Sequence, residues 1–369
     1  MTDVSSLAGP RAQRDDHPFR PRQVAVLVLP GAFSLDALGC YEIFKAAART
    51  LALRTLEVPP LDPMDDAAYA HCRLQYEVQL VGTRMGPVFT ASGTPLYAER
   101  ALSALTEPLD TLVVAGGSVQ RMMQEMHSDP SFMPEFRRVT GLARRVVSVC
   151  TGSFLLAQAG LLDGKRATTH WAALKFLEQL YPRVRVERDP IYTRDGNVYT
   201  SAGASTGIDL ALSLVREDHG AALAAEIARV LVLYVQRPAG QPQLSVPLRT
   251  QKSDRTPLRD LKAWILENPA ADLSVPALAA RVGQSVRNFA RSFRRELSMT
   301  PATYVEAVRV EAARRKIEIG TGSLDEIAAQ VGFGAVETLR RAFLRQTGKP
   351  PSAARAAVSA AASAELRAR

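Results

Sequence analysis

One cysteine of the sequence stands where a thiol could act as a nucleophile. Cys150 directly follows the apolar run 145–149, and the small residues Thr151, Gly152 and Ser153 come before a predicted helix. The sharp turn from a buried strand into a helix is the position at which α/β folds present a nucleophile. Amide dipoles at a helix N-terminus favour a thiolate, so we expect the Cys150 pKa to lie below that of a free thiol. The alternative from position alone is a small apolar residue that fills a tight turn.

The other residues with reactive side chains predict neither a metal ion nor a cofactor. His71 and Cys72 are adjacent, but no second pair of ligands stands at the spacing that zinc requires. Gly116 and Gly117 follow a second apolar run, but the spacing and the acidic partner of a dinucleotide fingerprint are missing. The three cysteines form no closely spaced framework, which favours a reducing cytoplasm.

Arginine-rich helices near the end of the chain indicate a different chemistry. Residues 285–297 place an apolar stripe opposite a group of arginines. The stripe is Phe289, Phe293 and Leu297, and the arginines are Arg287, Arg291, Arg294 and Arg295. Residues 335–346 repeat this arrangement, with Val336, Leu339 and Phe343 opposite Arg340, Arg341 and Arg345. Guanidinium groups suit phosphates and the O6 and N7 atoms of guanine. For one such helix alone, a solvent-exposed arginine face on an ordinary helical bundle is the alternative.

Each arginine-rich helix follows a short amphipathic helix that ends at a glycine, Gly283 in the first case and Gly332 in the second. This layout places the second helix of each pair in a DNA major groove. Because the pattern occurs twice, we favour DNA binding over a solvent-exposed arginine face. The residues expected to contact DNA are Ser285, Arg287, Asn288, Arg291, Arg294, Arg295, Glu337, Thr338, Arg340 and Arg341. Those expected to reach bases are Arg287, Asn288, Arg291, Glu337, Thr338 and Arg341.

The segment between the two patterns predicts a long connecting helix. Thr300 is a favourable N-cap, Pro301 suits the first helical position, and the helical pattern continues to about Glu318. About eighteen residues at 1.5 Å each make this helix roughly 27 Å long. It would hold the two recognition helices on tandem half-sites about 10.5 bp apart.

The positive charge of the chain is concentrated around these helices. The 369 residues carry a net charge of +9, and residues 250–355 hold 18 Lys and Arg against 11 Asp and Glu. Residues 1–249 hold 26 against 25 and are nearly neutral. A basic domain beside a neutral one fits a DNA-binding module attached to a domain with a different partner. No run of eighteen apolar residues predicts a membrane span, and residues 1–20 lack the apolar core of a signal peptide.

The neutral part alternates strand and helix patterns. Apolar runs at 24–29, 109–115 and 145–149 are separated by helical segments. Short runs that are apolar on both faces predict a parallel sheet covered by helices on both sides. The expected order is a disordered extension at 1–21, an α/β domain at 22–235, a Pro-rich linker at 236–257, an all-α domain at 258–355 and an Ala-rich tail at 356–369.

Residues 258–352 resemble the DNA-binding domain of AraC/XylS-type transcription regulators. The matching stretches are 289–297, 299–304, 309–313 and 327–333, and they cover nearly the whole domain. The family usually closes with Pro-x-x-Tyr-Arg, whereas this chain has Ala354 before Arg355. The aromatic residue that packs the last turn of the family domain is therefore missing.

Residues 23–220 resemble the PfpI-like branch of the class I glutamine amidotransferase superfamily. The resemblance rests on the stretches 30–44, 113–117, 149–153, 160–171 and 200–203. It implies a flavodoxin-like sandwich with Cys150 on a sharp turn, Asp36 near the sulfur and His170 nearby. The candidate ligand-binding pocket comprises Asp36, Gly116, Gly117, Cys150, Thr151 and His170. Cys40 departs from the Gly-Pro that usually follows the aspartate motif of this branch.

The two domains in this order resemble the GlxA-like regulators of the AraC family. That resemblance implies a sensor domain that binds a small, nitrogenous metabolite and forms a homodimer, with double-stranded DNA as the second partner. The resemblance allows RNA polymerase as a further partner and implies no membrane partner.

Two functions remain open at this point. The first is a transcription factor whose sensor domain performs no chemistry, and the second is a DNA-binding protein whose front domain keeps Cys150-dependent hydrolase or hydratase activity. His170 has no acidic residue two positions later, so the Cys-His-Glu unit of an amidotransferase is incomplete. The pairing of Asp36 with Cys150 that isocyanide hydratases use is complete in residue type. We favour the first function.

Overall fold

The computed structural model describes residues 21–56, 75–233, 237–245, 257–320 and 322–356. Most of the expected N-terminal extension and of the expected Ala-rich tail lies outside the described residues, and so do His71 and Cys72.

A seven-stranded sheet forms the centre of the first domain. The strands in chain order are β1 (Arg22–Leu27), β2 (Tyr76–Gly82), β3 (Gly86–Phe89), β4 (Pro95–Ala98), β5 (Arg100–Ala101), β6 (Leu109–Val114), β7 (Ala143–Val149), β8 (Arg166–Ala167), β9 (Arg185–Val186), β10 (Tyr192–Asp195) and β11 (Val198–Ser201). The large sheet has the order β10-β11-β7-β6-β1-β2-β5. Its neighbouring strands run parallel except at the β10–β11 edge. The predicted parallel sheet is confirmed, with one antiparallel edge pair that the sequence analysis did not predict.

Helices cover both faces of this sheet. They are α1 (Ser34–Leu56), α2 (Val119–Ser128), α3 (Phe132–Leu142), α4 (Ser153–Gln158), α5 (Leu174–Leu180), α6 (Ala204–His219) and α7 (Ala221–Val230). The side chains of β1 alternate between the two cores: Val24 and Val26 pack beneath α1, α6 and α7, and Ala25 and Leu27 pack beneath α2, α3 and α4. This two-sided burial explains why β1 is apolar at every position from Val24 to Leu27.

The second domain is entirely helical among its described residues. Its helices are α8 (Pro257–Glu267), α9 (Val275–Arg281), α10 (Val286–Leu297), α11 (Pro301–Ile319), α12 (Leu324–Gln330) and α13 (Val336–Thr347). Two helix-turn-helix units, α9–α10 and α12–α13, are joined by α11, as the sequence predicted. The N-caps explain where these helices begin, because the hydroxyl groups of Ser274, Ser285 and Thr300 each accept a hydrogen bond from a backbone N–H three residues later. In the described part of the chain, no helix combines the length and the apolar character needed to cross a bilayer.

Candidate functional site

Cys150 occupies a strained turn at the carboxyl end of the sheet. It follows β7, and its φ of +54° lies in the left-handed region that non-glycine residues rarely adopt. Hydrogen bonds hold the turn on both sides: Thr151 Oγ1 donates to the Gly117 carbonyl at 2.7 Å, and Thr169 Oγ1 donates to the Cys150 carbonyl at 2.8 Å. A strained backbone conformation of this kind is stable only where surrounding contacts hold it in place, and such conformations are concentrated at functional sites.

Gly116 allows the loops around Cys150 to approach closely. A Cβ atom at Gly116 would lie 2.6 Å from the Val149 carbonyl oxygen and 2.8 Å from Asp36 Oδ2. Any larger residue would therefore separate α1, which carries Asp36, from the turn that carries Cys150. The structure brings Asp36, Gly116, Gly117, Cys150 and Thr151 together at this edge of the sheet.

The carboxyl group of Asp36 is buried, with 2 % of the residue exposed. Burial raises its pKa to about 6, although the Cys150 thiol and the Gly116 backbone oppose this shift. Its Oδ2 atom is also buried and has no hydrogen-bond partner among the described residues. A buried oxygen without a donor is costly, so this atom marks a place where a ligand could supply one.

The prediction of a lowered Cys150 pKa is wrong. Burial and the nearby charge of Asp36 raise the pKa of this thiol to about 12, and hydrogen bonding at Thr151 offsets them only in part. The helix that follows, α4, has six residues, and its dipole does not outweigh the loss of water and the nearby carboxylate. At neutral pH the sulfur is therefore a thiol.

His170 does not complete a catalytic relay. Its ring is half-buried and packs against Trp171, and in the described part of the chain it forms no hydrogen bond with Cys150 or Asp36. Burial lowers the His170 pKa, which favours the neutral ring. Side chains that could hold a metal ion are likewise not grouped in threes among the described residues.

A small cleft lies beside Gly116 and Gly117. It is lined by these glycines, Gly31, Ala32 and their neighbours, but not by Asp36, Cys150, Thr151 or His170. Its volume of about 10 Å³ is close to the minimum for one water molecule, so this cleft does not hold a metabolite.

A segment that the sequence analysis placed in the linker lies against the first domain. Residues 237–245, here called the strap, follow α7. Arg237 forms an ion pair with the buried Asp209 of α6, with its Nε atom 2.8 Å from Asp209 Oδ2, and its Nη2 atom donates to Ser205 Oγ. At the other end of the strap, Gln243 Nε2 donates to Thr168 Oγ1 at 2.9 Å and to the Thr169 carbonyl at 3.0 Å.

A single residue, Thr169, connects the strap with the Cys150 turn. Thr169 accepts a hydrogen bond from Gln243 and donates one to the Cys150 carbonyl. The sequence analysis identified neither Thr169 nor the strap as part of the site. Thr169 directly precedes His170 in a stretch that carried the family resemblance, and that position was the available signal.

The first recognition helix, α10, presents its predicted DNA-contacting face to solvent. Phe289 and Phe293 are fully buried, while the predicted contact residues Ser285, Arg287, Asn288, Arg291, Arg294 and Arg295 are all exposed. Asn288 Oδ1 accepts a hydrogen bond from Arg291 Nη2 at 3.2 Å, which orients that guanidinium group along the helix. Val286, which the sequence analysis did not select, is 48 % exposed in the first turn. Its position and apolar side chain suit contact with a thymine methyl group.

The second recognition helix, α13, is built in the same way. Leu339 and Phe343 are buried, and Glu337, Thr338, Arg340 and Arg341 are exposed. Arg340 Nη1 lies 3.4 Å from Glu337 Oε2. Arg345, in contrast, forms an ion pair with Glu306 of α11 at 2.7 Å, so part of its charge is engaged within the domain.

Comparisons with known proteins find relatives of both domains. The DJ-1/PfpI family model matches residues 22–217, and a helix-turn-helix domain model matches residues 278–357. The HTH-type transcriptional regulator CdhR of Pseudomonas aeruginosa is 29% identical over 300 residues, which are 81% of this chain and 87% of the relative. The regulator GlxA of Rhizobium meliloti is 28% identical, over 88% of this chain and 98% of its own length. The isonitrile hydratase of Pseudomonas putida is 33% identical, over 54% of this chain and 86% of its own length.

The chain therefore belongs to the DJ-1/PfpI family, and it carries an AraC-type helix-turn-helix domain behind the family domain. Relatives that share both domains are named transcriptional regulators. Together with the exposed cationic faces of α10 and α13, this makes the protein a DNA-binding transcription regulator of the GlxA-like group.

Proposed function

We propose that the DJ-1/PfpI domain is a sensor for a small, nitrogenous metabolite and that it regulates DNA binding without performing chemistry. The effector binds beside Asp36, Gly116, Gly117, Cys150, Thr151 and His170. The observation that carries this proposal is the buried Asp36 oxygen that lacks a hydrogen-bond partner among the described residues. A cationic or N–H-rich ligand would supply both the missing donor and a compensating charge.

The close contacts around Gly116 support a role in signalling. A Cβ atom at Gly116 would lie within 3 Å of Val149, Thr151 and Asp36, so an effector beside the buried Asp36 carboxyl group binds a conformation in which these loops have moved apart. A ligand shifts a conformational equilibrium only when it binds the two states with different affinity, and a pocket that must open meets this condition. The strap contacts the site, because Thr169 forms hydrogen bonds with both Gln243 and the Cys150 turn, and it precedes the DNA-binding domain in the chain.

Two properties of Cys150 argue against catalysis. Its thiol has a pKa near 12, and in the described structure His170 forms no hydrogen bond with it. The alternative, Cys150-dependent hydrolase or hydratase activity, is favoured by the neighbouring Asp36 and by the relative that is named isonitrile hydratase. Both functions use the same residues, so a direct assay must separate them.

A thermal-shift screen of the full chain tests the sensor function. Amino acids, betaines and amines are added singly, and a ligand present at 100 times its Kd stabilises the folded state by about 2.7 kcal/mol. Asp36→Asn should abolish the shift produced by a cationic ligand, whereas Cys150→Ser should keep most of it. Turnover of amides or isocyanides that disappears in Cys150→Ser would replace the sensor function by the enzymatic one.

The DNA-binding domain is proposed to bind two consecutive major-groove segments through α10 and α13. The exposed side chains of both helices and the length of α11 support this arrangement. We further propose that the sensor domain forms a homodimer, that the regulator acts in the cytoplasm, and that it contacts RNA polymerase at its target promoters. Analytical ultracentrifugation of the full chain tests the homodimer.

A further inference from the structure

The two helix-turn-helix units have separate hydrophobic cores on a single helix. Tyr304, Val305 and Val308, from the first half of α11, pack with α8, α9 and α10. Val310, Ala313 and Ile317, from the second half, pack with α12 and α13. Among the described residues, no buried apolar side chain belongs to both cores. Apolar packing therefore positions each unit on α11, but it does not directly join one unit to the other.

Arg309 lies on α11 between these two cores. Its Nε atom donates to the Pro269 carbonyl at 2.9 Å, and its Nη2 atom donates to the Ala271 carbonyl at 3.0 Å. Both carbonyl groups belong to the loop between α8 and α9, in the first unit. The planar guanidinium group fixes two acceptors in defined directions, which the single ammonium group of a lysine cannot reproduce.

The turn of the second unit contacts the same guanidinium group. Gly332, between α12 and α13, has a φ of +83°. A Cβ atom at Gly332 would lie 2.5 Å from the Pro269 carbonyl oxygen and 2.9 Å from Arg309 Nε and Nη2. The loop of the first unit, the turn of the second unit and Arg309 thus meet at one point, here called the inter-unit junction.

We propose that Arg309 is a positioning residue that sets the spacing between the two DNA half-sites. Through the inter-unit junction it holds the two units in one relative orientation, and hence α10 and α13 at one separation. A second link, the ion pair between Glu306 and Arg345, has a largely exposed arginine and contributes less. The inference rests on the proposed docking of both helices in DNA.

The test compares half-site spacings. Duplexes are first selected from a random-sequence library with the wild-type full chain, and one or two base pairs are then inserted between the two protected segments. Two added base pairs rotate one half-site by about 70° relative to the other, since one turn contains about 10.5 bp. We expect the wild type to lose at least about tenfold in affinity, and Arg309→Met to lose less than about threefold.

A direct DNA contact by Arg309 predicts a different result. Removing a phosphate contact weakens binding to every duplex. It also reduces the slope of the logarithm of the binding constant against the logarithm of the salt concentration by about one. If Arg309 only positions the units, affinity for a duplex with one half-site and its salt dependence stay unchanged in Arg309→Met. Undiminished discrimination between spacings in this variant, with two grooves still protected, would overturn the proposal. Protection of one groove by the wild type would instead refute tandem docking.

A glycine pair provides the matched control. Gly332→Ala introduces a methyl group into the inter-unit junction and should flatten the spacing preference in the same way as Arg309→Met. Gly283 occupies the equivalent turn of the first unit, also with a positive φ of +65°, but a Cβ atom there would meet nothing within 4 Å. Gly283→Ala therefore carries comparable backbone strain without the steric conflict and should keep the wild-type preference. Equal effects of the two substitutions would contradict the proposal.

Discussion

The Asp36 carboxyl group and the Cys150 thiol share one buried space, and each influences the protonation of the other. The charge of Asp36 raises the Cys150 pKa, while hydrogen bonding from the thiol opposes the rise in the Asp36 pKa. With a pKa of about 12, roughly one thiol in 10⁵ is ionised at pH 7, so Cys150 is a poor nucleophile in this state. An effector that brings positive charge would lower both pKa values.

Asp36→Asn should stabilise the first domain at alkaline pH. Because the folded-state pKa of about 6 lies above the 3.8 of an aspartate in water, the fold disfavours the carboxylate. The contribution of Asp36 to the free energy of unfolding is fully present below about pH 4. It is lost as the pH rises through 6, and the total loss is up to about 3 kcal/mol. Asparagine mimics the protonated acid, so urea denaturation should show the variant to be more stable at pH 8 and equally stable at pH 4. Asp163→Asn, which alters an exposed ion pair, should show no such trend.

Arg291→Ala should weaken binding to the selected duplex and relax its sequence specificity. Arg291 is exposed on α10, and Asn288 orients its guanidinium group. Loss of a bidentate contact with guanine costs about 1–3 kcal/mol on the cognate sequence. Fluorescence anisotropy should show little change in affinity for random DNA. An equal loss on both duplexes would identify Arg291 as a phosphate contact instead.

At the scale of elements, the strap is held by backbone hydrogen bonds with residues 189–191 and by polar side chains near its two ends. Arg237 contacts Asp209 and Ser205 of α6, and Gln243 contacts the segment that supports the Cys150 turn. Both ends of the strap thus contact the first domain, and the end with Gln243 lies next to the Cys150 turn through Thr169. We propose this connection as the route by which effector binding reaches the linker.

Arg237→Met should detach the N-terminal end of the strap. The substitution removes the arginine that forms an ion pair with Asp209, whose side chain is 6% exposed. Removing one partner of a buried ion pair costs about 3 kcal/mol or more in comparable sites. Hydrogen exchange of residues 237–245 should accelerate at least tenfold. The control, Arg188→Met, removes the exposed pair with Glu178 and should cost less than about 1 kcal/mol. Unchanged exchange in Arg237→Met would show that other contacts hold the strap.

Local patterns predicted the helices and strands, and the family resemblance added the proximity of Asp36 and Cys150, but other contacts between distant residues were missed. The stripe of Phe289, Phe293 and Leu297 has the period of a helix, and all three are buried as expected. The strap resembles a linker because it is rich in proline and glycine, and Gln243 and its partner Thr168 lie 75 residues apart. The Cys150 pKa was misjudged for a related reason: a helix N-terminus can be read locally, whereas burial depends on the whole fold.

At the scale of the whole molecule, the two parts of the chain differ in net charge. The region that contains both helix-turn-helix units has a net charge of +7, from 18 Lys and Arg and 11 Asp and Glu, whereas residues 1–249 carry +1. Attraction to the DNA backbone is therefore confined to one end of the chain, and it weakens steeply as salt rises. Residues 1–249 are nearly neutral and therefore contribute little to this attraction.

Hydroxyl-radical footprinting should show two protected major-groove segments for each protomer, with centres about 10.5 bp apart. Helix α11 spans 19 residues, or about 28 Å at 1.5 Å per residue, which places α10 and α13 close to one turn of DNA apart. A variant with both Arg340→Ala and Arg341→Ala should lose only the segment that α13 contacts, because the first unit keeps its own core and its own exposed arginines. Protection of one groove per protomer in the wild type would mean that one helix alone enters the DNA. Loss of both segments in the double variant would mean that the two units bind only as a pair.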